Sequence, residues 1–216
     1  MPDQHPQEEV LADFSAGNLA ETKAILVATH LTLCPTCRKI CGDYDAIGGS
    51  LLAISSDSDV GTEVREALFQ KLDEVEECVP VAEKDESTKA LIPAPLRDKL
   101  NSSLAELSWK KMGRTIKYVD VVEPEAAVTA RLMLLSSSSA LPNHTHEGTE
   151  MTVVLSGGFS DEFGNFARGD VAIRDSRDTH KPRVDPGEDC LCFVVTDAPL
   201  RMKGILGFFL NRLKIW

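Results

Sequence analysis

The chain carries five histidines, and every one of them falls in one of two clusters. His5 and His30 stand with the cysteines of the N-terminal part, whereas His144, His146 and His180 lie together in the C-terminal half. Surface histidines scattered by chance would not all stand at ligand spacing. Two clusters so far apart need two scaffolds, and 216 residues suffice for two small domains.

The first cluster reads His30-x3-Cys34-x2-Cys37. A Cys-x2-Cys pair lets two thiolates grip one tetrahedral ion, Pro35 favours the turn that aims them, and His30 lies one helical turn upstream. His5, brought back by a first short helix, is expected to be the fourth ligand. Two thiolates and two neutral imidazoles cancel the charge of Zn(II), so such a site can be buried. A redox Cys-x2-Cys is the competing reading, although no βαβ pattern surrounds the motif. Cys41, four residues after Cys37, is a competing ligand, and Cys78 reads as a core residue. No signal peptide or membrane-length apolar run is visible, so the expected location is cytoplasmic. In that compartment close cysteine spacing argues for metal or redox chemistry over disulfides.

Hydrophobic periodicity changes along the chain. Ser15 or Asn18 is expected to cap a helix ending near His30. A second helix starts at Pro35, with Gly48-Gly49 as a possible break. A third carries Val60, Val64, Leu68, Leu72, Val75 and Val79 as one stripe and stops at Pro80. So thin a helical core would suit a metal staple. Residues 82–95 have linker composition, and Leu96, Leu100, Leu104 and Leu107 are in phase for a connector helix. From Trp109 the pattern turns to short strands: Thr115–Val122, Ala126–Leu135, Met151–Leu155, Val171–Ile173 and Cys190–Val195, with a hairpin-like turn at Phe163-Gly164-Asn165. The fold class is therefore α plus all-β in two domains. Residues 1–85 form the helical one, 86–108 a linker and connector, and 109–216 an all-β barrel or sandwich.

Charge divides at the same place. Residues 1–90 hold 18 Asp/Glu against 7 Lys/Arg, a net of −11, and the rest holds 16 of each. An acidic module repels phosphate backbones and attracts basic proteins, or simply keeps the chain soluble. With no basic stripe, direct nucleic-acid binding is not expected.

In the second cluster, His144 and His146 are two apart, so on a strand both face one side. Glu150 follows after a loop, and the run reads His-x-His-x3-Glu-x6-Gly up to Gly157. Gly169-Asp170 then opens a strand, with His180 beyond it. Residues 109–198 thereby resemble the two cupin motifs, the second shortened and carrying Ser176-Arg177-Asp178-Thr179 where Pro-x-Gly is common. The resemblance implies a cupin β-barrel whose ligands are His144, His146, Glu150 and His180, holding zinc or another divalent metal. Cys190 and Cys192 share one face of a strand, either as core fillers or as a redox pair beside the metal. Pro199–Trp216 mixes basic and apolar residues, suiting an amphipathic surface helix or a cover for the barrel.

Residues 1–80 resemble the zinc-binding anti-sigma domain, and the whole chain resembles the ChrR-type anti-sigma factors. That resemblance implies a regulator, not an enzyme, which binds a group IV (extracytoplasmic-function) sigma factor. Singlet oxygen or organic hydroperoxide would release it. The alternative is a metal-dependent cupin oxygenase or isomerase with an accessory zinc domain.

Overall fold

The computed structural model describes residues 1–56, 60–73, 83–122, 128–198 and 200–202. Cys78, the end of the Val60–Val79 stripe and most of Pro199–Trp216 fall outside them.

Among the described residues six helices come first. α1 (Glu8–Ser15) is closed by Gly17, whose φ of +71° permits a left-handed turn. There Asn18 N–H donates to Asp13 O at 2.8 Å and Gly17 N–H to Phe14 O at 3.1 Å, satisfying carbonyls that the helix end would orphan. Asn18 and Ser15 thus belong to the exit of α1, and neither caps the next helix. α2 (Glu21–Leu33) starts from Ala20 with no side-chain cap and buries Ile25, Leu26, Val27, Thr29 and His30. α3 (Pro35–Ala53) begins with Pro35, whose missing N–H costs nothing in a first turn. It runs unbroken through Gly48-Gly49, the place of the possible break or kink. α4 (Thr62–Asp73) carries the apolar stripe, but nothing among the described residues covers it: Val64, Leu68 and Leu72 are 64%, 57% and 70% exposed.

The connector departs from expectation. α5 (Glu86–Leu91) is capped by Asp85, whose carboxylate accepts Thr88 N–H at 2.7 Å, and α6 (Ala94–Arg97) is a single turn. No helix spans Leu96 to Leu107. Thr88 Oγ1 accepts Leu104 N–H at 2.9 Å and Ser103 Oγ accepts Asp85 N–H at 2.8 Å, so hydroxyls replace the helical ladder. The leucines nevertheless point inward, with Leu96 and Leu100 buried and Leu104 and Leu107 packed on the same core.

Eleven strands follow among the described residues: β1 (Lys110–Met112), β2 (Ile116–Asp120), β3 (Thr129–Leu135), β4 (His144–His146), β5 (Glu150–Ser156), β6 (Gly158–Asp161), β7 (Gly164–Ala167), β8 (Val171–Arg174), β9 (Arg183–Val184), β10 (Cys190–Thr196) and β11 (Leu200–Met202). They form an antiparallel sheet β1-β2-β3-β10-β5-β8, a second sheet β7-β6-β9, and the pair β11-β4. The expected closed barrel is not what the described residues show. At Gly157 (φ +65°) the chain leaves the large sheet for the small one, and single bridges Ala140–Arg183 and His144–His180 stand where a barrel would have ladders.

β10 is buried along its whole length. Leu191, Phe193 and Val195 pack with Leu26, Ile92 and Leu96 from the helical part, while Cys190, Cys192 and Val194 pack with Phe159, Phe166 and Val184 from the small sheet. The large sheet is therefore covered by helices on one face and by strands on the other, and one hydrophobic cluster runs from α1 into the sheet. A strand covered on both sides must be apolar throughout, which explains the run Cys190–Val195.

Candidate metal centres

The first centre forms where α2 hands over to α3. Cys34 leaves the helical conformation (φ −113°, ψ 102°) and becomes the N-cap of α3, its Sγ accepting Cys37 N–H at 3.4 Å. Pro35 sets the intervening turn, and both thiols are buried. His30, also buried, donates Nδ1–H to Gly169 O at 2.7 Å. A carbonyl only accepts, so the proton is on Nδ1 and Nε2 carries a lone pair. That Nε2 has no hydrogen-bond partner among the described residues. His5 arrives from the N-terminal segment with Nδ1 at 3.4 Å from Cys34 Sγ and 3.5 Å from Cys37 Sγ. One ligand atom from each of the four residues lies within 4.8 Å of the others.

These donors fit zinc. A tetrahedral shell with bonds of about 2.0–2.3 Å separates neighbouring ligand atoms by roughly 3.3–3.8 Å, the spacing of His5 to both sulfurs. Burial lowers the proton affinity of His30 and keeps it a neutral donor. Burial, with Cys34 beside it, pushes the Cys37 thiol up to about 12. Only a cation in place of the proton would favour the thiolate there. Cys41 is not in this group. It is buried in the core one turn beyond Cys37, and burial raises its thiol as well.

The second centre lies at the end of the sheets. β4 presents His144 and His146 with Thr145 between them, Glu150 opens β5, and His180 is bridged to His144 through two backbone hydrogen bonds of 3.1 Å. His144 Nδ1 donates to Pro142 O at 2.9 Å, and His180 Nδ1 donates to the Asp161 carboxylate at 2.8 Å. His144 Nε2 therefore carries a lone pair, and it stands 3.0 Å from His180 Nε2, with His146 Nε2 3.1 Å from the same atom. Three imidazole nitrogens so close together have the spacing of donors around one cation. Burial lowers His144 to about 4 and His146 to about 3, so both rings are neutral donors at neutral pH. Burial raises Glu150 to about 7, an acid that a cation would ionise.

Comparison with known proteins decides the family. Residues 99–199 match the family model described as the ChrR cupin-like domain. The anti-sigma-E factor ChrR of Cereibacter sphaeroides is 34% identical over 203 residues, covering 94% of this chain and 93% of that protein. The chain belongs to the ChrR family. The crystal structure of Rhodobacter sphaeroides SigE in complex with the anti-sigma ChrR matches with a TM-score of 0.76 and 31% identity, over 91% of this chain and all of that one.

The structure thus brings both expected quartets together in this ChrR relative. Cys190 and Cys192 stay apart from them as ligands, on the face of β10 that looks toward the small sheet. Their mutual hydrogen bond, burial and the nearby Glu150 all hold the Cys192 thiol well above its ordinary range. Sequence reasoning missed the residues that aim the ligands. Asp161, whose side chain is fully buried, links His180 to Arg174 at 3.2 Å, and Gly169 and Asp170 reach the first centre from the far half of the chain. Only their turn and strand context was visible in the sequence, because what they hold is distant along the chain.

Proposed function

We infer that this chain is an anti-sigma factor, a regulator and not an enzyme, whose partner is a group IV sigma factor. The observation that carries the reading is an apolar surface left uncovered in the N-terminal part. Residues 45–56 of α3 and its exit, and residues 62–72 of α4, are exposed throughout. They present Ile47, Leu51, Leu52, Ile54, Val64, Leu68, Phe69 and Leu72 to solvent. A patch this apolar calls for a protein partner, and the net charge of −11 over residues 1–90 suits a basic one. The relative named above is crystallised in complex with SigE.

In this reading residues 1–85 bind the sigma factor and hold one structural zinc through His5, His30, Cys34 and Cys37. Residues 86–108 connect, and residues 109–216 report the signal. The second centre, His144, His146, Glu150 and His180, holds zinc or another divalent metal, which when bound supplies a Lewis-acidic site open to small molecules. Singlet oxygen or an organic hydroperoxide is the proposed signal, acting at that ligand set or at Cys190 and Cys192. Ile92, Leu96 and Leu100 of the connector share a core with α2 and β10, so a repacked sheet would be felt by the helices. No described helix is long and apolar enough to cross a membrane, and the proposed location is the cytoplasm, where sigma factors work.

Co-expression with the cognate sigma factor tests the reading. A stable complex that represses sigma-dependent transcription is expected. Leu68→Asp should weaken it by about 2 kcal/mol or more, as loss of a central apolar anchor does. Single replacements of His144, Glu150 or Cys190 should still repress but no longer respond to either oxidant. An unchanged complex with Leu68→Asp would move the interface elsewhere, and normal responses in all three variants would remove the sheets from sensing.

A further inference from the structure

Two of the four ligands of the first centre are held by the other half of the chain. The turn between β7 and β8 reaches the N-terminal residues at several points. Gly169 O accepts the Nδ1 proton of His30 at 2.7 Å. Asp170 Oδ1 accepts the backbone N–H groups of Asp3 at 2.7 Å and Gln4 at 3.0 Å, the residues directly before His5. Val171 N–H donates to Gln4 O at 3.1 Å, which lays this segment along the start of β8. Asp170 is itself buried and anchored, its Oδ2 accepting Ala167 N–H at 2.8 Å. Gly169 has a φ of +93°, and a Cβ there would stand 2.7 Å from Pro2 Cγ and 3.3 Å from Leu33 Cβ. Only glycine lets this carbonyl come so close to α2.

We propose that the Gly169-Asp170 turn is part of the N-terminal metal site, Gly169 orienting His30 and Asp170 delivering His5, so that the cupin-like half sets how tightly zinc is held. The proposal rests on the reading of His5, His30, Cys34 and Cys37 as zinc ligands. Neither turn residue touches the ion; both are positioning residues that act through a ligand. A hydrogen bond to the far nitrogen of a ligating imidazole fixes its tautomer and ring direction, which is what Gly169 does for His30. His5 is exposed, so its position has to be imposed by contacts of its neighbours. Asp170 imposes it with two hydrogen bonds, and the 3.1 Å bond from Val171 adds a third. The strand that begins there ends at Arg174, whose guanidinium meets Asp161, the carboxylate that holds His180. One short run of chain therefore touches the supports of both centres.

The test uses the full-length chain loaded with Co(II). Charge transfer from thiolate to cobalt reports the first centre alone, because the second ligand set contains no sulfur, and the ligand-field bands report coordination number. Asp170→Ala is expected to keep the charge-transfer band, to change the ligand-field bands as His5→Ala does, and to weaken metal binding at this site about tenfold or more. Total metal stoichiometry should show the second site still filled. Deleting residues 2–4, with His5 kept behind Met1, removes the same clamp without touching the sheet, and it carries the test if Asp170→Ala does not fold. Parental spectra and affinity in these variants would overturn the clamp while leaving the zinc site standing. A parental chain that shows no charge-transfer band at all would overturn the zinc reading, and the clamp with it.

Discussion

α2 and α4 are helices of 13 and 12 residues, both with leucine and valine, yet the core encloses one and leaves the other in the open. The difference lies in how their apolar residues are arranged. In α2 Ile25, Leu26, Val27 and Leu31 go round most of the helix, and such a helix has no face to give to water. It lies between α3, α6 and the inner face of β5 and β10. α4 gathers Val64, Leu68 and Leu72 on one stripe and places Glu63, Glu66 and Gln70 on the other side. A stripe of this kind is buried by whatever flat surface is offered to it, and among the described residues none is. The same chemistry builds the core in one place and leaves an exposed face in the other.

Four substitutions would break or sharpen that contrast. Cys37→Ala strikes the junction that holds α2 to α3. It is expected to abolish zinc at the first centre and to lose helix content, since structural zinc contributes on the order of 10 kcal/mol in small peptides. Metal analysis with far-ultraviolet circular dichroism measures both, and full zinc with full helicity would refute the staple. Leu26→Ala, fully buried between helix and sheet, should cost about 2–5 kcal/mol in denaturant unfolding. Helix and sheet signals should fall in one transition, because their cores are continuous; two separate transitions would mean that the shared cluster is not cooperative. Leu68→Asp should change the folding stability of the free chain by no more than about 0.5 kcal/mol. A large loss would show that α4 is packed after all. Lys23→Ala removes the ion pair to Asp197, 2.7 Å long and partly exposed, and should cost at most about 1 kcal/mol by the same unfolding measurement.

The two candidate ligand sets were legible because each quartet is mostly local. His30, Cys34 and Cys37 fall within two helical turns, and His144, His146 and Glu150 fall on one strand and the start of the next. Spacing alone aims such groups. His5 and His180 were placed by composition and resemblance, and the structure draws both into their sites through distant supports, Asp170 and Asp161. Leu96–Leu107 shows the opposite case. Its leucine phase correctly marked inward positions, but Asn101-Ser102-Ser103 has side chains that compete for backbone hydrogen bonds, and the helix ends at Arg97.

By itself the sequence determined which residues can bind a metal, where helical periodicity gives way to strands, and that the acidic charge lies in the first 90 residues. These are properties of near neighbours, set by the 3.6-residue and two-residue periods and by side-chain chemistry. Only the tertiary structure decided that isolated bridges stand where a closed barrel would have ladders, that the stripe of α4 stays uncovered among the described residues, and that Gly169 and Asp170 of the C-terminal half reach His30 and the residues before His5. Each of those depends on contacts between residues far apart in the chain. A hydrophobic pattern says that a face wants cover, and folding decides which surface, in this chain or in another, provides it.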